Sequence, residues 1–598
     1  MSGSSPLRVQ VGTYNCNLQG AAAVSPDLSA WLVPTIAQNS KAFNSTNPTE
    51  GRDAPDIYAV GFQELLPLPM GFAGNEQATD AIDATDREIR RAIRYHAAMT
   101  RPDGLYPPGH TGGPETYDLL AAVHMVGIVL FVYTRAKTDI SARVKEIRTA
   151  KVGTGLLGIM GNKGAVGLRL VLKGATASAK DEVYTFVSAH LAAHDHNVPR
   201  RNADWANIVR RMVFTPGSVQ PLPLIQQKIR SGGAASETVS QLEDRYKSEQ
   251  AKKAGQPKNA EPLDTNSYGL YDSTHLFVFG DLNYRIALKK QPLPGSYAEK
   301  MSHGKLAKDD LRWRLASQDW PALASYDQLS VERLGGRVFH GLTEPELPSI
   351  KWGPTYKFKV IKPAKEKSAL ETGNLHKDEK VTDYSTTGAS TAVASSAASV
   401  VSETAKSESS STPLFTKIAA PSPKAAEEAA GQELSKKRVP GWTDRILWAS
   451  AHDGSQLSLA SKGTHGLEVE LYRSVIQYTH SDHKPVTAIL KIDPANQPAL
   501  GSASKPVFLK DSKPQAIVTP YNRDPLWQLK LLLGSILDKI LGLIWTSLIK
   551  AGAGSLITGA LEAVVVLVLS IWYLRGGQGD ASWWLSNVTA RGRAAVGA

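Results

Sequence analysis

The sequence predicts an α/β protein, on three kinds of observation. Short alternating or continuous apolar runs, such as residues 275–280, are typical of half-buried or buried strands. Residues 85–99 and 200–213 instead have the apolar spacing of amphipathic helices. Polar residues directly follow several strands, and α/β proteins place functional groups at such strand ends.

In chain order, the predicted strands end at polar side chains. Residues 7–17 and 56–64 are predicted as strands, and residues 117–133 as two strands of a hairpin or meander. A glycine-rich turn at residues 161–164 precedes another strand, and residues 183–190 form the next. Four strands end at Asn15, Glu64, His190 and Asp281. Folding alone does not require this repetition, so we interpret these groups as functional.

The stretch around Asp281 is the strongest candidate for chemistry. Its apolar run stops at Gly280 and is followed by Asp281 and Asn283. Alternation along an extended chain predicts that both side chains face one small volume, with a carboxylate to take a proton and an amide to hold an oxygen. The alternative is an Asx turn that closes a hairpin.

Composition bounds the class of protein and of partner. A length of 598 residues with 42% hydrophobic content suits a globular enzyme with extra segments. The net charge of +12 favours anionic partners such as phosphates, nucleic acid or acidic lipid, although Lys and Arg mostly form solvated faces. The single cysteine, Cys16, excludes an intramolecular disulfide and suits the cytosol. Residues 1–6 contain no apolar core, so we expect no cleaved signal peptide.

Two stretches interrupt the ordered pattern. Residues 216–271 show little periodic burial, and residues 364–434 include a long tract of Ser, Ala and Thr. Both are predicted to be disordered insertions in a domain of residues 1–494, because such compositions bury too little apolar surface to offset chain entropy. Residues 495–525 are predicted as a linker.

Eight motifs in order carry a resemblance to a known family. They are TYNCN, GFQEL, GNKGAVGLRL, SAHLAAHDHNVPRRNADW, FGDLNYRI, PTYKF, KKRVPGWTDRIL and HSDHKPV. Together they resemble the inositol polyphosphate 5-phosphatases of the endonuclease/exonuclease/phosphatase (DNase I-like) superfamily. TYNCN and GWTDR depart modestly from the usual family forms. These departures leave the catalytic assignments intact and bear instead on the geometry of the residues around the substrate.

The resemblance implies a fold and a set of site residues. The fold would be a four-layer α/β sandwich of two packed mixed β-sheets flanked by helices, with the site at one edge. Glu64, Asn15 and Asp482 would provide oxygen ligands for Mg²⁺. Asp281 would act as general base on water, positioned by Asn283. The remaining catalytic groups would be His483, oriented by Asp444 and binding the scissile phosphate, and His190, touching a phosphoryl oxygen.

The same resemblance implies hydrolysis of a 5-phosphate, most directly from phosphatidylinositol 4,5-bisphosphate. Six residues would bind substrate, with the neighbouring 4-phosphate as the recognition handle: Lys163, Tyr356, Lys357, Lys436, Arg438 and Arg445. A soluble inositol phosphate is an alternative substrate. A nuclease of the same superfamily and a catalytically silent lipid-binding protein are further alternatives, but PTYKF and the Lys-x-Arg element argue against nucleic acid.

The C-terminal region predicts attachment to a membrane. Residues 526–550 carry a polar stripe on an otherwise apolar helix, suited to a membrane interface. Residues 555–574 form an apolar stretch of about 20 residues, enough to span a bilayer. Glu562 opposes insertion by roughly 2.5 to 3.5 kcal/mol, which the Val and Leu run offsets; an interfacial or dimerisation helix is the alternative. We expect a tail anchor, a short tail at residues 575–598, and a cytosolic catalytic domain on the endoplasmic reticulum or another endomembrane.

Overall fold

The structure of the chain is a computed structural model. It describes residues 6–17, 28–32, 55–99, 117–135, 139–174, 181–219, 264–287, 308–345, 347, 352–360, 434, 438–450, 467–476, 478–492 and 521–550. Its strands are β1 (Leu7–Asn15), β2 (Ile57–Gln63), β3 (Tyr117–Met125), β4 (Ile128–Arg135), β5 (Val144–Gly153), β6 (Gly164–Leu172), β7 (Glu182–His190), β8 (Val213–Phe214), β9 (Tyr268–Gly269), β10 (His275–Asp281), β11 (Asp444–Ser450), β12 (Leu467–Ser474) and β13 (Val486–Ile492). Its α-helices are α1 (Ser29–Leu32), α2 (Leu68–Ala73), α3 (Glu76–Met99), α4 (Asp139–Arg143), α5 (Val198–Arg211), α6 (Lys308–Ala316), α7 (Trp320–Ala324), α8 (Gln328–Leu334) and α9 (Trp527–Lys550).

Two mixed sheets form the centre of the described structure. The six-stranded sheet has the order β12-β13-β1-β2-β4-β3, and the five-stranded sheet has the order β11-β10-β7-β6-β5. The parallel neighbours are β1 with β2 and β7 with β10, whereas the other neighbours in these two sheets are antiparallel. Each sheet thus has a parallel pair at its centre, as the predicted mixed sheets require.

Burial on both faces of each sheet produces four layers. Val9, Ile57, Leu168 and Phe277 belong to one apolar cluster between the two sheets. The outer face of the six-stranded sheet packs on α1 and α3, and that of the five-stranded sheet on α5 and α8. Because both sheets are covered on both faces, their central strands are continuous apolar runs rather than strictly alternating ones. The predicted four-layer sandwich is confirmed.

Some predicted boundaries are wrong. Helix α3 begins at Glu76, before the predicted start at residue 85. Disorder was predicted through residue 271, but residues 264–271 are ordered and the Arg169 guanidinium lies 3.9 Å from the ring centre of Tyr268. Residues 216–219 at the start of this insertion are also described. Residues 220–263 lie outside the described residues, as do residues 364–433 of the second insertion.

The C-terminal region is described as far as residue 550. Helix α9 covers residues 527–550 of the segment predicted as an amphipathic helix, and its segment Trp527–Leu548 is long and apolar enough, by length and composition, to cross a membrane. The stretch 555–574, for which a spanning helix was predicted, lies outside the described residues, as does the tail at 575–598. Most of the linker also lies outside, except residues 521–525.

Candidate active site

Strand direction brings the predicted site residues to one edge of the sandwich. Strands β1 and β2 are parallel and end together, with Asn15 opposite Gln63 and Glu64 following. In the other sheet, Asp281 lies opposite His190 on parallel β7 and opposite Asp444, the first residue of antiparallel β11. His483 lies shortly before β13, which begins at Val486 and is antiparallel to β1. Groups distant in sequence therefore converge because each parallel pair of strands that ends here is flanked by antiparallel strands that start here.

Gly280 permits the close approach of β10 and β7 next to Asp281. Its φ is +148°, and a Cβ at this position would lie 1.8 Å from the carbonyl oxygen of Ala189. Any larger residue would push the two strands apart. The glycine that ends the apolar run is thus required to hold Asp281 alongside His190.

Asp281 is almost fully buried, and polar groups surround it. Its Oδ2 accepts hydrogen bonds from Asn15 Nδ2 and Asn283 Nδ2, both at 3.0 Å, and its Oδ1 accepts one from the Asn283 backbone N–H at 3.1 Å. His190 Nε2 lies 3.2 Å from Oδ2 and also contacts the Lys163 ammonium. Asn283 has φ +59°, so the extended-chain prediction is wrong: an Asx-type bond is present, yet the two side chains still meet.

The surrounding charges favour the ionised form of Asp281. Burial by itself raises the pKa of this carboxyl group, but His483, His190 and Lys163 together lower it well below its ordinary value. Burial and the charge of Lys163 lower the pKa of His190, and burial lowers the pKa of Lys163. Asp281 is therefore a fixed anion at neutral pH.

His483 and Asp444 form a second buried pair next to Asp281. His483 Nδ1 lies 2.9 Å from Asp444 Oδ2, which also accepts hydrogen bonds from Thr355 Oγ1 at 2.7 Å and Thr443 Oγ1 at 2.9 Å. The other ring nitrogen, Nε2, lies 3.9 Å from Asp281 Oδ2. Burial opposes the charged imidazolium, but Asp444 and Asp281 raise the pKa of His483 to about 9. A cation thus faces the Asp281 anion across a short gap.

The donor set around Glu64 suits a hard divalent cation. The Glu64 carboxylate accepts no hydrogen bond from the described residues, and its Oε1 lies 3.8 Å from His190 Nε2. Asn15 Oδ1 accepts one bond, from the Asn17 backbone N–H at 3.1 Å, which leaves a lone pair. Carboxylate and amide oxygens are the ligands that Mg²⁺ prefers. Asp281, Asp444 and His483 form another cluster whose ligand atoms lie within 4.8 Å of one another.

Asp482 and the predicted substrate residues occupy the next part of the edge. Asp482 pairs with the Lys357 ammonium, so the structure gives no support to its predicted place among the metal ligands. Tyr356 lies beside His483, with ring centres 4.5 Å apart, and Arg438 is exposed. Lys436 lies outside the described residues. These positions leave Lys357 and Arg438 as accessible cations.

Arg285 is a site residue that the sequence analysis missed. Its Nη2 donates to Asn283 Oδ1 at 3.1 Å, and its guanidinium lies 4.5 Å from the ring centre of Tyr356. It therefore links the Asp281 turn to the PTYKF segment. The signal in the sequence that could have identified Arg285 as a site residue was its position two residues after Asn283, on the same side of the turn.

The predicted substrate role of Arg445 is wrong. Its side chain is fully buried, where Nη1 lies 3.1 Å from Asp327 Oδ2 and Nε donates to Glu344 Oε2 at 2.8 Å. Glu344 and Asp327 raise the pKa of Arg445 despite burial. Because its guanidinium is directed at two buried carboxylates, Arg445 stabilises the five-stranded sheet instead of binding substrate.

Replacing Arg445 with leucine should therefore destabilise the fold. Removing one partner of a buried ion pair leaves unpaired charge and costs about 3 to 5 kcal/mol. We expect the midpoint of urea unfolding, followed by tryptophan fluorescence, to fall markedly. The matched control is Lys491→Leu, which breaks an exposed pair with Glu468 and should change stability by about 1 kcal/mol or less. Similar midpoints for the two variants would contradict a stabilising role for Arg445.

Comparisons with known proteins agree on one family. The model of endonuclease/exonuclease/phosphatase family 2 matches residues 12–369 and 418–489, which include every predicted site residue. The chain is 26% identical over 326 residues to type I inositol polyphosphate 5-phosphatase 8 of Arabidopsis thaliana, covering 51% of this chain and 52% of that protein. It is 25% identical over 486 residues to type II inositol 1,4,5-trisphosphate 5-phosphatase of Mus musculus, covering 81% of this chain and 30% of that protein. The chain thus spans about half or less of these relatives.

A solved structure is also similar. It is the inositol polyphosphate 5-phosphatase domain of SPsynaptojanin in complex with inositol (1,4)-bisphosphate and a calcium ion. The similarity has a TM-score of 0.41 and 20% identity, and it covers 82% of this chain and 87% of that one.

Proposed function

Because this chain belongs to endonuclease/exonuclease/phosphatase family 2, we propose that it is a phosphoric monoester hydrolase that removes the 5-phosphate from phosphoinositides. The proposed reaction converts phosphatidylinositol 4,5-bisphosphate to phosphatidylinositol 4-phosphate. The names of the plant and mouse relatives support a 5-phosphatase. The observation that carries the proposal is the buried Asp281 anion with His483 Nε2 at 3.9 Å.

In the proposed reaction, Asp281 accepts a proton from the attacking water. Its carboxylate is fixed by Asn15 and Asn283, so its orientation is set before substrate binds. A carboxylate of low pKa is a weak base toward free water. Glu64 and Asn15 would hold a divalent cation, proposed as Mg²⁺, which when bound neutralises phosphoryl oxygens and makes water more acidic.

His483 is proposed to bind the scissile phosphate as an imidazolium. Asp444 holds Nδ1, so the remaining N–H at Nε2 is directed toward the volume beside Asp281. A positioned donor of this kind stabilises charge on a phosphoryl oxygen more in the transition state than in the ground state. Lys163 would add positive charge beside Asp281, and His190, whose pKa is lowered by burial and by Lys163, would contribute a ring nitrogen there.

Phosphate release from a panel of substrates tests the proposal. We expect release from phosphatidylinositol 4,5-bisphosphate, loss of release in excess chelator, and recovery on addition of Mg²⁺. Plasmid DNA should remain intact under the same conditions. Full phosphate release in chelator would contradict the metal requirement, and nicking of plasmid without phosphate release would favour a nuclease.

Replacing Lys357 with alanine should change specificity. Its ammonium, paired here with Asp482, is proposed to bind the 4-phosphate, and one charged hydrogen bond contributes about 1.5 to 3 kcal/mol. We expect kcat/KM to fall by roughly 10- to 100-fold for a 4,5-bisphosphate and much less for a substrate that lacks the 4-phosphate. Arg438→Ala should act in the same direction. The matched control is Lys359→Ala, two residues away and exposed; equal losses on both substrates for Lys357→Ala would contradict the assignment.

Membrane attachment is part of the proposal. The predicted span at residues 555–574 would hold the enzyme on an endomembrane with its catalytic domain in the cytosol. The length and hydropathy of α9 are consistent with a membrane-associated C-terminal region.

A further inference from the structure

Helix α9 packs on the catalytic domain through its polar stripe. Asp538 accepts hydrogen bonds from the Gly161 backbone N–H at 3.0 and 3.1 Å. Gly534 and Gly542 lie on the same side, where an added Cβ would be 2.2 Å from the Ile159 carbonyl oxygen and 2.5 Å from the Phe72 backbone. Leu537 and Leu541 pack beside them on an apolar cluster that includes Phe72, Val126 and Met160. We call this side of the helix the inner face.

The segment before α9 is also attached to the domain. The Asp524 backbone N–H donates to the Arg210 carbonyl oxygen at 3.1 Å, and the Tyr521 hydroxyl donates to the Arg337 carbonyl oxygen at 3.2 Å. Lys530 then pairs with Asp524 at 2.6 Å. The helix is therefore held at its start as well as along its inner face.

The opposite side of α9 is apolar and exposed. We call it the outer face, and its large apolar residues are Leu529, Leu532, Leu533, Ile536, Ile540, Leu543, Ile544 and Leu548, each 42–68% exposed. Among the residues of α9 whose burial is described, up to residue 548, the only exposed charged one is Lys539. A contiguous apolar surface of this kind marks a contact with a membrane or another protein.

The inner face of α9 contacts segments that adjoin site residues in the chain. This face contacts α2, which starts four residues after Glu64, and the turn that carries Lys163 two residues after Gly161. A spanning α9 would carry these contacting loops, with their backbone polar groups, into hydrocarbon, which is strongly unfavourable. A helix lying along the membrane surface avoids this cost.

The chain that follows identifies what covers the outer face. Helix α9 is described as far as Lys550, and the apolar stretch at 555–574 begins within a few residues of it in the sequence. A stretch of about 20 apolar residues can span a bilayer, so the end of α9 would be held at that bilayer. Lys539 and the net charge of +12 suit an anionic lipid surface.

We propose that the outer face of α9 lies on a phospholipid bilayer and that its inner face holds the catalytic domain against the same bilayer, with the site turned toward lipid headgroups. The membrane contact is independent of the activity, whereas the orientation toward headgroups rests on the proposed function. This contact of α9 restricts the enzyme to lipid substrates in the membrane that holds it. It leaves the rate of hydrolysis of a soluble substrate unchanged.

A fluorescence experiment on the full chain tests the membrane contact. The single cysteine, Cys16, is buried, so Leu543→Cys introduces one accessible thiol for a bimane label. After reconstitution into vesicles of brominated phosphatidylcholine with phosphatidylserine, we expect strong quenching. The control is Lys173→Cys, exposed at the opposite end of β6 from Gly164, which should not be quenched. Equal quenching at both positions would overturn the proposal. So would a label at Leu543→Cys that is already shielded from solvent without vesicles, because the tail or a second copy of the chain would then cover the outer face.

A pair of neighbouring substitutions tests the orientation. Gly534→Leu must displace the inner face, whereas Ser535→Leu adds the same side chain at an exposed position. We expect Gly534→Leu to lower hydrolysis of phosphatidylinositol 4,5-bisphosphate in phosphatidylcholine vesicles by about tenfold or more, because misplacement of the site costs rate. Soluble inositol 1,4,5-trisphosphate should be hydrolysed equally by both variants and wild type. If Gly534→Leu lost activity equally on both substrates, or lost none, the proposed orientation would be overturned. If the wild type were inactive on both substrates, the proposed function would be rejected, while the quenching result for the membrane contact would stand.

Discussion

Replacing Asp281 with asparagine should lower kcat for phosphate release by roughly 10³-fold or more, since an amide of the same shape cannot accept a proton. The side chain is almost fully buried and held by Asn15, by Asn283 and by the contact with His190. Loss of the anion also removes one of the two carboxylates, the other being Asp444, that raise the pKa of His483. The measurement is single-turnover release from phosphatidylinositol 4,5-bisphosphate in Mg²⁺.

The controls separate chemistry from folding. The unfolding midpoint of Asp281→Asn should remain close to that of wild type, because the substitution keeps size and most hydrogen-bonding atoms. The matched control is Asp319→Asn, which alters a helix-capping carboxylate outside the site and should keep full activity. If Asp281→Asn retained more than a small fraction of the wild-type rate, Asp281 would not be the proton acceptor.

Replacing His483 with alanine should lower kcat by roughly 10² to 10³-fold, the loss typical of one donor to developing charge. Asp444→Asn should cause a smaller loss, because the imidazole remains but its charged form is less favoured. If Asp444 acts only by orienting His483, the double variant should be no slower than His483→Ala alone.

The double variant also separates two roles for Asp444. This carboxylate belongs both to the pair with His483 and to the cluster of Asp281, Asp444 and His483. A loss for the double variant equal to the product of the single losses would show that Asp444 acts independently of His483, as a direct ligand of a cation would. Unfolding midpoints of the three variants are the control for stability.

The sequence predicted the site edge well because strand ends are local signals. Gly280 followed by Asp281, and polar residues at the ends of three other strands, were visible without knowledge of sheet order. The register then brings His190 and Asp444 opposite Asp281. The identity of the family came from motifs that hold these same residues.

The predictions that failed depended on distant partners. Arg445 resembled a substrate-binding cation because its neighbours in sequence carry a family motif, whereas Glu344 and Asp327 lie far from it in sequence. The membrane-interface prediction for α9 stays a prediction, but the sequence did not show that the polar stripe meets the protein, where Asp538 accepts hydrogen bonds from Gly161, while the apolar side is exposed. Periodicity shows that a helix has two faces, but it does not show which face meets the protein.

The strand order also has a consequence for synthesis on the ribosome. Strand β1 is the first strand made, but one of its two neighbours is β13, with Leu7 opposite Ile492. Domains begin to fold from the N-terminus during translation. The edge of β1 that pairs with β13 nevertheless has no partner strand until nearly all of the catalytic domain has emerged. His483 arrives just before that last strand. Because α9 follows β13 in the chain, the last strand of the catalytic domain emerges only shortly before the C-terminal apolar region does.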